Sequence, residues 1–285
     1  MQPTRLGEVR VLARFDRAAG QVAESIALGP DGSAAIGMIR ARQVVRVAQD
    51  GTTRTLVSMP TPPGGGTTPV VGSSAVTGVA RAADGTLHFL YSGGRGGMTG
   101  IWRLDGEPRL VVELPADSMP NALVADGDRF LVTDSTGGRI WQAPVGGGAA
   151  AVWSADPALA PDGFFGANGL KVHDGAVWAS NSDHGTLLRI PVTADGGAGT
   201  AEVRAEGLAG VDDFDFTGRG DEVLAAINLA GELVRIAPDG SRETLLDGMR
   251  GTTAVVVRDD HAYVTNGANH AETGSNLLIA ELLRG

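Results

Sequence analysis

"SMPNALVADGDRFLVTDS", residues 118–135, holds two short apolar runs parted by a "DGD" turn. Period-two patterning on either side of a turn that tolerates positive φ reads as a β-hairpin. "GANGLKVHDGAVWASNS", residues 166–182, has the same layout. In both, an Asn stands at the head of the first run, Asn121 and Asn168. Asn is a poor strand former and a good turn former, so one copy alone reads as a turn cap. A second copy in the same slot makes a repeat the question to settle first.

Six segments align on that first strand: "AESIALGPDGSAAIG" from Ala23, "VTGVARAADGTLHFLYS" from Val76, "PNALVADGDRFLVTDS" from Pro120, "ANGLKVHDGAVWASNS" from Ala167, "VDDFDFTGRGDEVLAAIN" from Val211 and "TTAVVVRDDHAYVTNG" from Thr252. Each is followed by a third strand pattern, such as "GIWRLDGE" or "LVRIAPDG", and the first five by a fourth. Successive anchors, the second residue of each segment, lie 53, 44, 47, 44 and 41 residues apart. A period of about 45 residues with four strands per unit is the signature of propeller blades. The sixth unit lacks its fourth strand, and "GEVRVLARF", residues 7–15, is a spare strand. The expected fold is therefore all-β: one six-bladed β-propeller domain over residues 1–285, blades of four antiparallel strands, with the N-terminal strand joining the last blade and leaving no open edge. A two-domain β-sandwich would not produce one continuous repeat.

Composition agrees. The 285 residues are 42% hydrophobic and include 43 glycines, scattered as "DG" and "GG" between short apolar runs. Gly supplies positive φ at hairpins, and Ala-rich pieces that could form helices are broken by Gly and Pro. A net charge of −10 disfavours nucleic acid and anionic membranes, which reward clustered Lys and Arg. No apolar run approaches the ~20 residues of a membrane span, and "MQPTRLGEVRVLARFD" lacks a signal-peptide core. With no Cys there is no disulfide framework and no thiolate chemistry. The expectation is a cytoplasmic monomer acting on a small molecule.

The anchor slot holds Glu24, Thr77, Asn121, Asn168, Asp212 and Thr253, each with a side-chain oxygen. First strands line the channel of a propeller, so the six side chains gather at one end of it. Such a ring suits a hard cation: Ca²⁺ takes 6 to 8 oxygen ligands. Glu24 and Asp212 bring charge, Asn121 and Asn168 bring amide oxygens, and Thr77 and Thr253 suit water or substrate. The slot has no His or Cys, which argues against a dedicated zinc or copper site. The bland alternative is a set of turn residues kept polar by channel water.

At these residues the chain resembles the calcium-dependent propellers that include gluconolactonase, regucalcin (senescence marker protein), the luciferin-regenerating enzyme and diisopropylfluorophosphatase. "AESIALGPDG", "PNALVADG", "ANGLKVHDG" and "GVDDFDF" look like the four ligand motifs of that family. The resemblance spans all six blades. It implies one divalent cation in the channel, Ca²⁺ first and Mg²⁺ or Zn²⁺ as alternatives, held by Glu24, Asn121, Asn168 and Asp212. It implies a lactone or related ester as substrate, with Asp212 activating water or acting as nucleophile. Asp213 is the rival acid of "GVDDFDF", expected on the opposite face of its strand. The resemblance breaks at Met119: sugar-lactone hydrolysing members resemble one another in having Arg there, which favours a more apolar substrate.

Strand direction alternates within a blade, so fourth-to-first and second-to-third loops share the ligand face. "NSDHGT" and "NGANHAETGS" bring His184 and His270 there as candidate acid–base groups, although a surface His is more often merely solvated. Phe164, Phe165 and Met119 precede anchors and suit an apolar rim or inter-blade packing. "PTPPGGGTTPVVGSS" from Pro60 is either a partial lid or a tolerated insertion. No GxSxG, HExxH or P-loop is present. Two other readings stay open: a ring-forming or rearranging enzyme, and a ligand-binding propeller without chemistry.

Overall fold

The computed structural model describes residues 3–267 and 274–283. Strand β1 (Arg5–Arg14) comes first. Blade one is β2 (Ala23–Leu28), β3 (Ala34–Met38), β4 (Gln43–Val47) and β5 (Thr53–Ser58). Blade two is β6 (Ala75–Arg81), β7 (Leu87–Ser92), β8 (Gly100–Asp105) and β9 (Glu107–Glu113). Blade three is β10 (Pro120–Asp126), β11 (Arg129–Asp134), β12 (Arg139–Pro144) and β13 (Ala151–Ser154). Blade four is β14 (Ala167–His173), β15 (Ala176–Asn181), β16 (Thr186–Pro191) and β17 (Glu202–Ala205). Blade five is β18 (Val211–Phe216), β19 (Val223–Ile227), β20 (Glu232–Ile236) and β21 (Arg242–Leu246). Blade six is β22 (Thr252–Arg258), β23 (His261–Asn266) and β24 (Asn276–Leu283). It takes β1 as its outer strand, in the order β1-β24-β23-β22. The pairing runs antiparallel from Arg5 opposite Leu283 to Arg14 opposite Asn276. The protein is a six-bladed β-propeller of four-stranded antiparallel blades, closed by its first strand.

Burial follows position in the blade. The second strands β3, β7, β15 and β19 are buried along their whole length. They lie between two neighbouring blades, so both faces must be apolar or paired. Outer strands such as β5 and β21 face water and are mostly exposed. The core is divided accordingly: six apolar clusters of buried residues lie one at each blade–blade interface. Phe89 and Tyr91 of blade two pack there on Ala35 and Val44 of blade one. Trp178 of blade four packs on Phe214 of blade five.

The inner strands share one irregularity. In each, the pairing with the second strand slips by one residue at the anchor. Asn121 and Ala122 together face Thr133, and Asn168 and Gly169 together face Ser180. Such a bulge frees a residue from the ladder and re-aims it. Hydroxyls at or opposite the bulges then bridge the blades. Ser25 donates to the Thr77 carbonyl. Thr77 donates to Pro120 O at 2.8 Å, Thr133 to Asn168 O at 2.5 Å and Ser180 to Asp212 O at 2.6 Å. Val257 N donates to the Asp215 carboxylate at 2.7 Å, and Thr253 returns to Ala23 O at 2.9 Å. These bonds go once around the ring. Where backbones approach this closely no Cβ fits: one added at Gly169 would lie 2.7 Å from Asp212 O and from Asp213 Cα.

Phe89 is fully buried between blades one and two. Phe89→Ala is expected to destabilise the protein by about 3–5 kcal/mol, read as a lower midpoint in denaturant unfolding.

Candidate metal centre and channel

Two cavities of about 340 Å³ each meet end to end along the propeller axis. One opens at the mouth, the other runs down the channel. Four residues line both: Glu24, Asn121, Asn168 and Asp212. They form the waist between the cavities, and all four are bulge residues of β2, β10, β14 and β18.

The waist is polar and mostly buried. Asn121, Asn168 and Asp212 are buried, and Glu24 keeps partial solvent access along the channel. Asn228 Nδ2 donates to Asp212 Oδ2 at 2.8 Å, which holds the carboxylate in one orientation. Asn168 Nδ2 donates to Ser182 Oγ at 2.8 Å, while that hydroxyl spends its proton on Val211 O at 2.6 Å. Ser182 can therefore only accept from Asn168, which fixes the amide. The Asn168 Oδ1 that results is buried and has no hydrogen-bond partner. A buried polar atom left so is costly, and this one is an oxygen of the type a hard cation takes.

The carboxylates are crowded. Burial, then repulsion from Asp213, pushes Glu24 up to about 7. Burial raises Asp212 well above the usual carboxylate range; Glu24 adds to this and the Asn228 bond opposes it. Asp213 is not on the far side of its strand. The bulge spans Val211 to Phe214, so Asp212 and Asp213 both face the channel. Asp213 is raised by burial, offset by Lys171, whose Nζ lies 2.6 Å from Asp213 Oδ1. Lys171, the one Lys of the chain, is the cation that balances the lower channel acids. Below it Asp215 also faces the channel, pushed by burial up to about 6. Among the described residues no three His, Cys, Asp or Glu side chains cluster as a metal site. The waist set is of another kind, two carboxylates with two amides. As an all-oxygen set with an unsatisfied amide oxygen, it fits Ca²⁺ better than Zn²⁺.

The other candidates fall elsewhere. Thr77 and Thr253 are buried, with their hydroxyls bound between blades; Thr253 lines the lower cavity, and Thr77 lines neither. Met119 is fully buried and does not reach the mouth. Its backbone N–H donates to Asp134 at 3.0 Å. His184 is exposed on its loop, with Nδ1 3.3 Å from Asn181 Nδ2 and its N–H on Asn181 Oδ1. The mouth is lined instead by its neighbour Asp183. That carboxylate accepts from Asp162 N at 2.7 Å and Phe164 N at 2.9 Å. His270 lies outside the described residues.

The mouth does have an apolar rim: Phe164 and Phe165 before blade four, Val70 and Val71 from the blade one–two connection, Ile39 and Leu229. Val70 adopts φ 63°, uncommon for a β-branched residue. Arg95 Nη1 on Pro63 O and Tyr91 Oη on Pro60 O, both at 2.5 Å, pin the connection. Ser182, Asn228 and Arg40 also line the mouth, and none of them stands in the anchor slot of the repeat. Ser182 and Asn228 sit at the heads of second-to-third loops, beside the anchors of blades four and five. Arg40 sits in the β3–β4 loop, which carries no Gly to mark it.

Raised acids have a measurable consequence. Without cation, Glu24 holds its proton more tightly folded than unfolded, about 7 against 4.5. Its contribution to stability is full below the unfolded value and is lost as pH rises through the folded one. The melting temperature of the chelator-treated protein is expected to fall between about pH 5 and about pH 8, and Glu24→Gln to flatten that fall.

No family model and no curated protein matches the sequence. Solved structures do match in fold. A gluconolactonase from Xanthomonas campestris superposes with TM-score 0.73 at 15% identity, over 99% of this chain and 96% of that one. The calcium-binding protein regucalcin from Agrobacterium tumefaciens gives 0.72 at 17% identity, over 98% and 95%. Virginiamycin B lyase from Staphylococcus aureus gives 0.65 at 17% identity, over 93% and 82%. Among the described residues no helix is long and apolar enough to cross a membrane. The chain thus shares the six-bladed propeller on which the gluconolactonase and regucalcin structures are built.

Proposed function

We propose that this protein is a metal-dependent hydrolase of a lactone or related ester, with Ca²⁺ as its cation. One observation carries the reading: the four residues common to the mouth cavity and the channel are two carboxylates and two amides, with no nitrogen or sulfur donor among them. Glu24, Asn121, Asn168 and Asp212 would hold the ion. When bound, it supplies a Lewis acid that polarises a carbonyl oxygen and stabilises the charge developing there.

The rest is work for the chain. Asn228 keeps one oxygen of Asp212 in place, leaving the carboxylate oriented at the mouth to take the proton of an attacking water or to attack itself. Ser182 keeps the Asn168 oxygen turned away from its own hydroxyl. Val70, Val71, Phe164 and Phe165 give the substrate an apolar bed, which supports a body more apolar than a sugar. An apolar rim also excludes water and strengthens the electrostatics within.

Metal-stripped protein titrated with Ca²⁺, Mg²⁺ and Zn²⁺ tests this directly. A ligand of the native state raises the melting temperature with its concentration. A rise with Ca²⁺ that Asp212→Asn abolishes is expected, together with hydrolysis of aliphatic lactones that a chelator stops. Asn228→Ala, which removes only the support of Asp212, is expected to cost about 10–100-fold in Ca²⁺ affinity with the fold intact. Full hydrolysis in chelator would overturn the metal; turnover to a product of unchanged mass would replace hydrolysis with a ring rearrangement.

A further inference from the structure

Arg40 is the one basic residue among the described residues that line the mouth cavity. It is exposed at the tip of the β3–β4 loop of blade one. Its guanidinium makes no hydrogen bond or ion pair among the described residues. Its neighbours behave otherwise: Arg42 donates to Met59 O and Arg40 O, and Arg46 pairs with Asp31 at 2.8 Å. The acids that line the mouth with it are already committed. Asp183 accepts from two backbone N–H groups, Asp212 from Asn228, and Glu24 belongs to the waist.

The surroundings give this cation a purpose. Arg40 and the Val70–Val71 segment come from blade one and its exit. Phe164 and Phe165 come from the entry to blade four, on the other side of the axis. A molecule seated across the mouth touches apolar surface through its body and meets Arg40 at one end. A guanidinium fork matches a carboxylate better than any neutral group, and a cavity of about 340 Å³ suits a small molecule.

We propose that the mouth cavity is selective for small organic acids, an apolar body bearing one carboxylate, and that Arg40 is the residue that binds the carboxylate. The inference deepens the hydrolase reading, for which it names the substrate class: lactones or esters that carry a carboxylate apart from the reacting carbonyl.

Calorimetric titration of the Ca²⁺-loaded protein with 3-phenylpropionate and with the isosteric, uncharged 3-phenylpropionamide tests it without turnover. The acid is expected to bind about tenfold more tightly than the amide. Arg40→Gln should remove that preference by weakening the acid alone, and Arg40→Lys should restore part of it. Equal binding of acid and amide by the wild type, or no binding of either, would overturn the proposal. So would a preference that survives Arg40→Gln, because the carboxylate would then sit on the metal. Neutral lactones assayed in parallel keep the two readings apart. Selectivity through Arg40 without lactone turnover retains this inference and removes the hydrolase. Turnover without selectivity does the reverse.

Discussion

Each inner strand carries one residue more than its neighbour can pair, at the point where it enters the channel. The unpaired residue cannot continue the ladder, so its side chain or its carbonyl must find another partner. In this propeller both do. The carbonyls of Thr77, Asn168, Asp212 and Ala23 accept hydroxyls from the adjacent blade. The side chains of Glu24, Asn121, Asn168 and Asp212 are released into the waist. The bonds that lock blade to blade and the oxygens that face the axis therefore come from the same bulges. Moving one of them would loosen the ring and misplace a donor together.

The waist is stable for the ring and unfavourable for its own charges. Glu24, Asp212, Asp213 and Asp215 all face the channel, and Lys171 is the one ammonium set against them. Burial raises these acids above the usual carboxylate range. A divalent cation at the waist would do what protons do at lower pH, with more charge and better geometry. Asn228 and Ser182 cost nothing in charge, yet they decide which oxygens point inward.

The blades were legible in the sequence because a turn must recur wherever a strand ends, and Gly and Asp mark turns by conformation alone. The waist residues were legible because a repeat puts equivalent residues on one circle. What the period could not tell is how a polar side chain is used once it is there. Thr77 and Thr253 share the anchor slot with Asp212, but a hydroxyl close to a neighbouring carbonyl donates to it. Strict alternation puts Asp213 on the far side of its strand, but alternation fails at a bulge, where two adjacent residues can share one face. Met119 lies two residues before an anchor, where a bare alignment puts it at the mouth; its side chain packs inward instead. Arg40 gave no signal because its loop carries no Gly, and the equivalent positions of blades four and five, Asp183 and Leu229, hold residues of other chemistry.

The closing pair, β1 with β24, joins the first strand of the ring to the last. Every other blade can assemble from neighbours in sequence, at low cost in chain entropy. Blade six must wait until Asn276–Leu283 has been synthesised. Until then β1 is an unpaired edge beside five blades that are nearly complete. Synthesis at about 5–20 residues per second leaves that edge exposed for tens of seconds. Val9 and Val11 remain partly exposed on β1 even in the finished ring, and Arg5, Arg10 and Arg14 are spaced along the same strand. Charges on an edge strand discourage pairing with other chains. The arginines of β1 thus set charge along the one strand whose partner is far away in the chain.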